Sequence, residues 1–276
     1  MECSIGDVKV HYHVYGSGRP ILMIHGFSLD HRVMTGCMEP VFTGRVEEWK
    51  RIYIDLPGMG QSKEVYGIQN SDDMLDVVLQ FIDRIIPDES FLVAGQSYGG
   101  YLARGIIAKR KEQVDGAAFI CPLIIADMNG RTLPPHTVIH QDEQLLSRLS
   151  AEEREEFRSI SVVLDETNWR RYREEILAGA ALADESFLDK LKKQYAFSFD
   201  VDERLSPYEK PCLFLLGRQD AITGYEDAWR ILDRFPRATF AVLDRAGHNL
   251  QLEQPALFHA MVNEWLNRVV ENAGGK

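Results

Sequence analysis

Short apolar runs alternate with longer amphipathic stretches along most of the chain. Residues 8–15, VKVHYHVY, carry the β-branched and aromatic side chains of a strand, and GSGRP at 16–20 reads as a turn before the apolar run ILMI at 21–24. RIYIDL at 51–56 predicts another strand, ending in PGMGQS. SDDMLDVVLQFIDRII at 71–86 then sets apolar residues at helical spacing behind a Ser or Asp cap. The unit repeats as FLVAG at 91–95, the helix GYLARGIIAKRK at 100–111 and the strand AAFICPLI at 117–124. Strands separated by helices of this length need parallel crossovers, so the pattern predicts the α/β class: a mostly parallel central sheet flanked by helices.

The rhythm changes between 125 and 206. LLSRL, a Ser150-to-Glu153 capping box followed by REEFRSI, RYREEILAGAALA, and ESFLDKLKKQ read as several short helices with no strong strand between them. Strand alternation resumes with PCLFLLG at 211–217, a helix near 225–234, ATFAVLD at 238–244, and a closing helix at 255–270. This return predicts one core built from 1–124 and 207–276, with 125–206 inserted as a helical cap.

Composition narrows the classes of function. A chain of 276 residues, 45% hydrophobic and 26% charged, fits one globular domain with a large insertion. The formal net charge of -11 opposes binding to a phosphate backbone, so nucleic acid is not an expected partner. No apolar run approaches the roughly 20 residues that span a bilayer, and MECSIGDVKVHYHV lacks the basic and apolar regions of a secretion signal. No membrane insertion and a cytoplasmic location are therefore expected. Cys3, Cys37, Cys121 and Cys212 have no paired metal-ligand spacing, and disulfides are not indicated.

The candidate chemistry starts at AGQSYGG, residues 94–100. Ser97 stands between an apolar strand and a helix, the setting in which Gly-x-Ser-x-Gly exposes a serine hydroxyl at the end of a sheet. Gly95 and Gly99 relieve crowding at the turn, and Gly100 permits a close approach of helix to sheet. A serine hydroxyl needs a histidine to take its proton and an acid to orient that histidine. Asp220 in GRQD and His248 in RAGH each follow a strand, which places both in loops at the same sheet edge as Ser97. Asp244 and Asp127 are weaker candidates for the acid. HGF after ILMI supplies a loop whose Phe27 N–H, with that of Tyr98, would hold an oxyanion, and His25 would shape this loop.

HGF, DLPGMGQS, GQSYGG, GRQD and AGH, in that order, resemble the α/β-hydrolase family over essentially the whole chain. The resemblance implies Ser97 as nucleophile, Asp220 as acid, His248 as base, Phe27 and Tyr98 as oxyanion donors, and 125–206 as the family's cap. A serine here disfavours the aspartate-nucleophile dehalogenases and epoxide hydrolases and the cysteine-dependent dienelactone branch. GQSYG also departs from the Gly-Gly-Ser-Trp-Gly usual in proline iminopeptidases. The resulting expectation is a serine hydrolase that cleaves a small carboxylic ester or related acyl bond through an acyl-enzyme. Proline iminopeptidase-like or carbon–carbon bond hydrolysis, or a weakly active or non-catalytic ligand sensor with the same fold, are the alternatives.

Other residues receive plainer roles. PGMGQS at 57–62 matches neither GxxxxGK nor GxGxxG, so no cofactor is expected, and Asp55 is assigned to stabilising that turn. His11, His13, His25 and His31 form no HExxH or comparable spacing; strand packing, loop bonding and exposure account for them, and no metal is expected. Phe27, Tyr98 and the cap residue Trp169 are aromatic candidates for a pocket wall. Glu152, Glu153, Glu155 and Glu156 read as a solvated helix surface, with capture of a substrate amine as the functional alternative. A cap over the catalytic edge predicts an enclosed pocket for a small molecule with a compact, partly apolar acyl group.

Overall fold

The computed structural model describes residues 1–205 and 207–274; Ser206, at the end of the expected cap, and Gly275 and Lys276, at the end of the expected core, lie outside the described residues. The main sheet has eight strands: β1 (Glu2–Ile5), β2 (Val8–Tyr15), β3 (Arg19–Ile24), β4 (Trp49–Ile54), β5 (Phe91–Gln96), β6 (Val114–Ile120), then β9 (Cys212–Gly217) and β10 (Ala238–Leu243). β7 (His140–Gln141) and β8 (Val163–Leu164) form a separate parallel pair between them. The main order is β1-β2-β4-β3-β5-β6-β9-β10. Only the β1–β2 and β2–β4 pairings are antiparallel; from β4 to β10 every neighbour is parallel.

Alternation along each strand explains why both sheet faces need a covering layer. Leu22 and Ile24 enter one core while Ile21 and Met23 enter the other, and Val93 and Leu92 divide in the same way. The first core packs against the helices Ser71–Ile85 and Tyr98–Arg110, the second against His31–Phe42 and Pro255–Gly274. The helices in chain order are α1 (His31–Phe42), α2 (Ser71–Ile85), α3 (Tyr98–Arg110), α4 (Glu143–Arg148), α5 (Ala151–Ile160), α6 (Glu166–Arg171), α7 (Ala178–Ala180), α8 (Glu185–Lys192), α9 (Val201–Arg204), α10 (Glu226–Arg230), α11 (Leu250–Glu253) and α12 (Pro255–Gly274). A π-helical segment, Tyr172–Leu177, joins α6 to α7. The expected capping box forms: the Ser150 hydroxyl accepts from Glu153 N–H, and the Glu153 carboxylate accepts from Ser150 N–H at 2.9 Å.

Several elements depart from the reading of the pattern, among them α1, β4 and β6. α1 had no assigned element, although Val33, Met34, Cys37, Met38 and Val41 form a buried stripe along it. β4 starts and ends two residues earlier than expected: Trp49 already pairs with Arg19 of β3, and just past the end the Asp55 carboxylate bonds the His31 and Gln61 amides. β6 is Val114–Ile120, ending where Cys121 adopts a φ of 40° and Pro122 removes a donor. α4 through α9 lie in the stretch between β6 and β9, after the parallel strand that follows α3.

Candidate active site

The chain reverses sharply at Ser97. β5 leads into it and α3 begins at the next residue, which leaves Ser97 with a φ of 52° and a ψ of -115°. A non-glycine residue is strained in this region and needs surrounding bonds to hold it. Ser97 N–H donates to the Ile120 carbonyl at 3.0 Å, while the Ser97 carbonyl accepts from Gly100 N–H at 3.0 Å, Tyr101 N–H at 3.2 Å and Leu123 N–H at 3.0 Å. The glycines make the turn sterically feasible. A Cβ on Gly95 would overlap the Gly99 carbonyl, one on Gly99 the Ile24 carbonyl, and one on Gly100 would come within 2.7 Å of Pro122 Cβ.

β9 and β10 deliver the other two groups. His248 Nδ1 lies 3.0 Å from Asp220 Oδ2, and Asp220 is wholly buried. Asp220 Oδ1 accepts from Ile222 N–H at 2.8 Å and Thr223 N–H at 3.0 Å, and Oδ2 accepts from the Thr223 hydroxyl at 2.8 Å. Burial alone would raise the Asp220 pKa, but the His248 charge and hydrogen bond, with the two amides, hold it below its ordinary value. An ionised carboxylate only accepts, so Nδ1 is the donor, and in the neutral form of the ring the lone pair is on Nε2. Gln96 Nε2 stands 3.5 Å from that Nε2.

Ser97, His248, Phe27 and Thr223 line one cavity of about 750 Å³. His25, wholly buried, shapes the loop beside it: its Nδ1 meets the Gly26 carbonyl at 2.7 Å and its Nε2 accepts from Leu56 N–H at 2.9 Å. Burial holds the His25 pKa below its ordinary value. A Cβ on Gly26 would overlap Gln96 Oε1, so a side chain here would displace the Gln96 amide. Tyr98 is the first residue of α3, where a backbone N–H has no intrahelical acceptor, and its phenol is turned away to bond Ser71 Oγ at 2.8 Å. Tyr98 does not line the cavity, so of this residue only the backbone N–H at the start of α3, next to Ser97, is left as an oxyanion candidate.

The other candidates separate clearly. Asp244 is exposed and accepts from Gln219 Nε2 at 2.8 Å, while Asp127 caps a short 3₁₀ turn by accepting from Asn129 N–H at 3.0 Å. Trp169 packs with Phe157 and Tyr172 at ring distances of 5.1 and 6.2 Å, and Tyr172 supplies the cavity wall in its place. Trp169 lies on the same side of the segment, stacked on Tyr172 and packed against Phe157 in the hydrophobic interior, and does not itself line the cavity. Glu152 and Glu155 are exposed, Glu153 belongs to the capping box, and Glu156 reaches the cavity wall. Asp55 does more than hold its turn. It accepts from Gln61 N–H and His31 N–H and meets both His11 Nδ1 and His31 Nδ1, which brings His11, His13 and His31 into one group.

Glu253 is the functional neighbour that pattern reading missed. Its Oε1 accepts from Val162 N–H at 2.6 Å and its Oε2 from Gly247 N–H at 2.6 Å, one residue before His248. Burial pushes the Glu253 pKa up to about 7 against these amide bonds. A single acid in LQLE offers no periodic signal for this role; only the folded contact reveals it.

Residues 21–261 match the alpha/beta hydrolase family, and the chain belongs to that family. It is 24% identical to a pimeloyl-[acyl-carrier protein] methyl ester esterase of Shewanella woodyi, covering 94% of this chain and 98% of the relative. It is also 24% identical to a 2-hydroxy-6-oxononadienedioate/2-hydroxy-6-oxononatrienedioate hydrolase of Burkholderia vietnamiensis, over 95% of this chain and 92% of the relative. Among solved structures, an alpha/beta superfamily hydrolase from Oenococcus oeni is 30% identical with a TM-score of 0.87, covering 98% of this chain and 99% of that one. A thermophilic esterase from Thermogutta terrifontis shares the fold at 22% identity and a TM-score of 0.66, with 97% and 96% covered. Among the described residues, no helix is long and apolar enough to cross a membrane.

Proposed function

We propose that this chain is a serine hydrolase of small carboxylic esters that works through an acyl-enzyme. The observation that carries the reading is the buried Asp220–His248 pair at 3.0 Å, opening on the cavity that Ser97 also lines. His248 Nε2 takes the Ser97 proton as Ser97 Oγ attacks the ester carbonyl, and the Phe27 and Tyr98 amides hold the oxyanion. The resulting imidazolium gives its proton to the leaving alcohol. His248 then takes a proton from water, which attacks the acyl-enzyme, and returns it to Ser97 as the acid product leaves. Asp220 holds the ring and supports its positive charge throughout.

The cavity volume lies within the usual range for a small-molecule site. Leu29, Leu123, Ile160, Ile176 and Leu177 give it apolar walls suited to a compact acyl group. The named activity of the Shewanella woodyi relative supports an ester as the bond cleaved. A second reading, cleavage of a carbon–carbon bond in an acidic substrate, draws on Lys192, whose Nζ stands 5.4 Å from the Phe27 ring at the cavity wall. The Burkholderia vietnamiensis relative, named for a dioate substrate, supports that reading more weakly.

A matched panel separates the two. Methyl and aryl esters of increasing acyl length should be compared with carboxylated vinylogous diketones at one pH, with Ser97→Ala as background. Higher kcat/KM on short and medium esters supports the ester reading. Preference for the diketones replaces it with carbon–carbon bond hydrolysis.

A further inference from the structure

A histidine cluster lies apart from the proposed catalytic machinery. On β2, Tyr12 points into the core against Phe81, with ring centroids 5.2 Å apart. Strand alternation therefore sends His11 and His13 together to the other face. His31, the first residue of α1, arrives beside them. The His11–His13 and His13–His31 ring centroids are 4.8 and 4.1 Å apart, and all three side chains are partly exposed. One ring nitrogen from each lies within 4.8 Å of those from the other two.

We propose that His11, His13 and His31 form a binding site for a divalent first-row transition cation, with zinc the principal candidate. Imidazole nitrogen suits zinc, copper and nickel, whereas calcium and magnesium prefer oxygen. Asp55 prepares the donors. Its Oδ1 lies 2.8 Å from His31 Nδ1 and its Oδ2 lies 3.2 Å from His11 Nδ1. The same carboxylate accepts from the His31 and Gln61 amides, at 2.8 and 2.9 Å, so its oxygens act as acceptors and the two Nδ1 atoms as donors. Nε2 of His11 and of His31 then carries the free lone pair. Carboxylate-held histidines of this kind orient the ring and raise its basicity towards a metal.

Zinc–nitrogen bonds of about 2.0–2.1 Å set tetrahedral donors roughly 3.3 Å apart. Side-chain rotation at the exposed edge has to close the remaining separation. Three histidines leave the fourth position for water. The buried Asp55 carboxylate stands behind the rings, one imidazole away from the cation, and offsets part of its charge. Asp30 also approaches His31, but it caps α1 by accepting from Arg32 N–H at 3.0 Å.

A second address has to be distinguished, because Cys121, Asp220 and His248 also fall within 4.8 Å of one another. Metal-free, tag-free full chain should be titrated with zinc chloride by calorimetry and with cobalt(II) by visible absorption. Wild type and His248→Ala are expected to take up one ion with similar affinity. His13→Ala and His31→Ala should lose more than the about 10–100-fold that loss of an outer-shell partner typically costs. Cobalt should give d–d bands without thiolate charge transfer. His13→Ala keeps the test valid if removing His31 from Asp55 disturbs folding, provided its circular dichroism and Tm match wild type. The proposal is overturned by no saturable uptake in several-fold excess metal, by uptake unchanged in His13→Ala, or by a thiolate–cobalt band lost with His248→Ala.

Discussion

Glu253 accepts the Gly247 N–H at 2.6 Å, immediately before His248 in the chain. Its other oxygen accepts from Val162 N–H at 2.6 Å, so one carboxylate joins the helical stretch between β6 and β9 to the loop that carries the proposed base. Glu253→Gln places an amide donor against one of these N–H groups. The variant should lose about 1–3 kcal/mol of stability, the usual cost of a buried unmade bond, as read by denaturant unfolding. An unchanged midpoint and slope would contradict this tie.

The same carboxylate makes stability depend on pH. Its folded pKa is raised from 4.5 to about 7, so the folded state binds the proton more tightly than the unfolded state. The contribution is fully present below 4.5 and is lost as pH rises to about 7. Unfolding curves across that window should show wild type losing stability relative to Glu253→Gln as pH rises. A constant difference between the two would remove Glu253 as the source.

Backbone strain at Ser97 predicts opposite effects on stability and chemistry. Its φ of 52° favours glycine, so Ser97→Gly should be more stable than Ser97→Ala by about 1 kcal/mol. Both variants should lose roughly 10³-fold or more in ester hydrolysis, because neither has an attacking oxygen. Thermal unfolding alongside initial rates checks both outcomes.

Asp220→Asn should fold and still contact His248, but the amide can donate to Nδ1 and favour the wrong tautomer. A fall of about 10⁴-fold in kcat is expected. The group also has a stability signature: its lowered folded pKa contributes stability above the ordinary value of 3.8, lost as pH falls through the folded pKa. Acid unfolding of Asp220→Asn should lack that component.

The sheet and the order of the site residues were legible because strand and helix periods differ and because each motif falls at a strand end. Ser97, Asp220 and His248 could be placed at one edge from local pattern alone. α1 was less visible, since Gly36 and Pro40 interrupt a stripe that is otherwise apolar. Trp169 and Tyr172 both suit a pocket wall by residue type, and only the folded packing shows that Tyr172 reaches the cavity and Trp169 stays in the core. Glu253 and the histidine cluster depend on contacts between distant segments, such as Val162 with Glu253 or His11 with Asp55, which no spacing rule encodes.

Intact-mass spectrometry of acid-quenched protein tests the proposed acyl-enzyme most directly. Wild type mixed with a short aryl ester, and separately with a fluorophosphonate, should gain one acyl or one phosphonyl mass, with peptide mapping locating each adduct on Ser97. Asp220→Asn should acquire the acyl mass more slowly, and Ser97→Ala should acquire neither adduct while retaining its fold. An adduct on another residue, or ester turnover by folded Ser97→Ala at the wild-type rate, would contradict the serine mechanism.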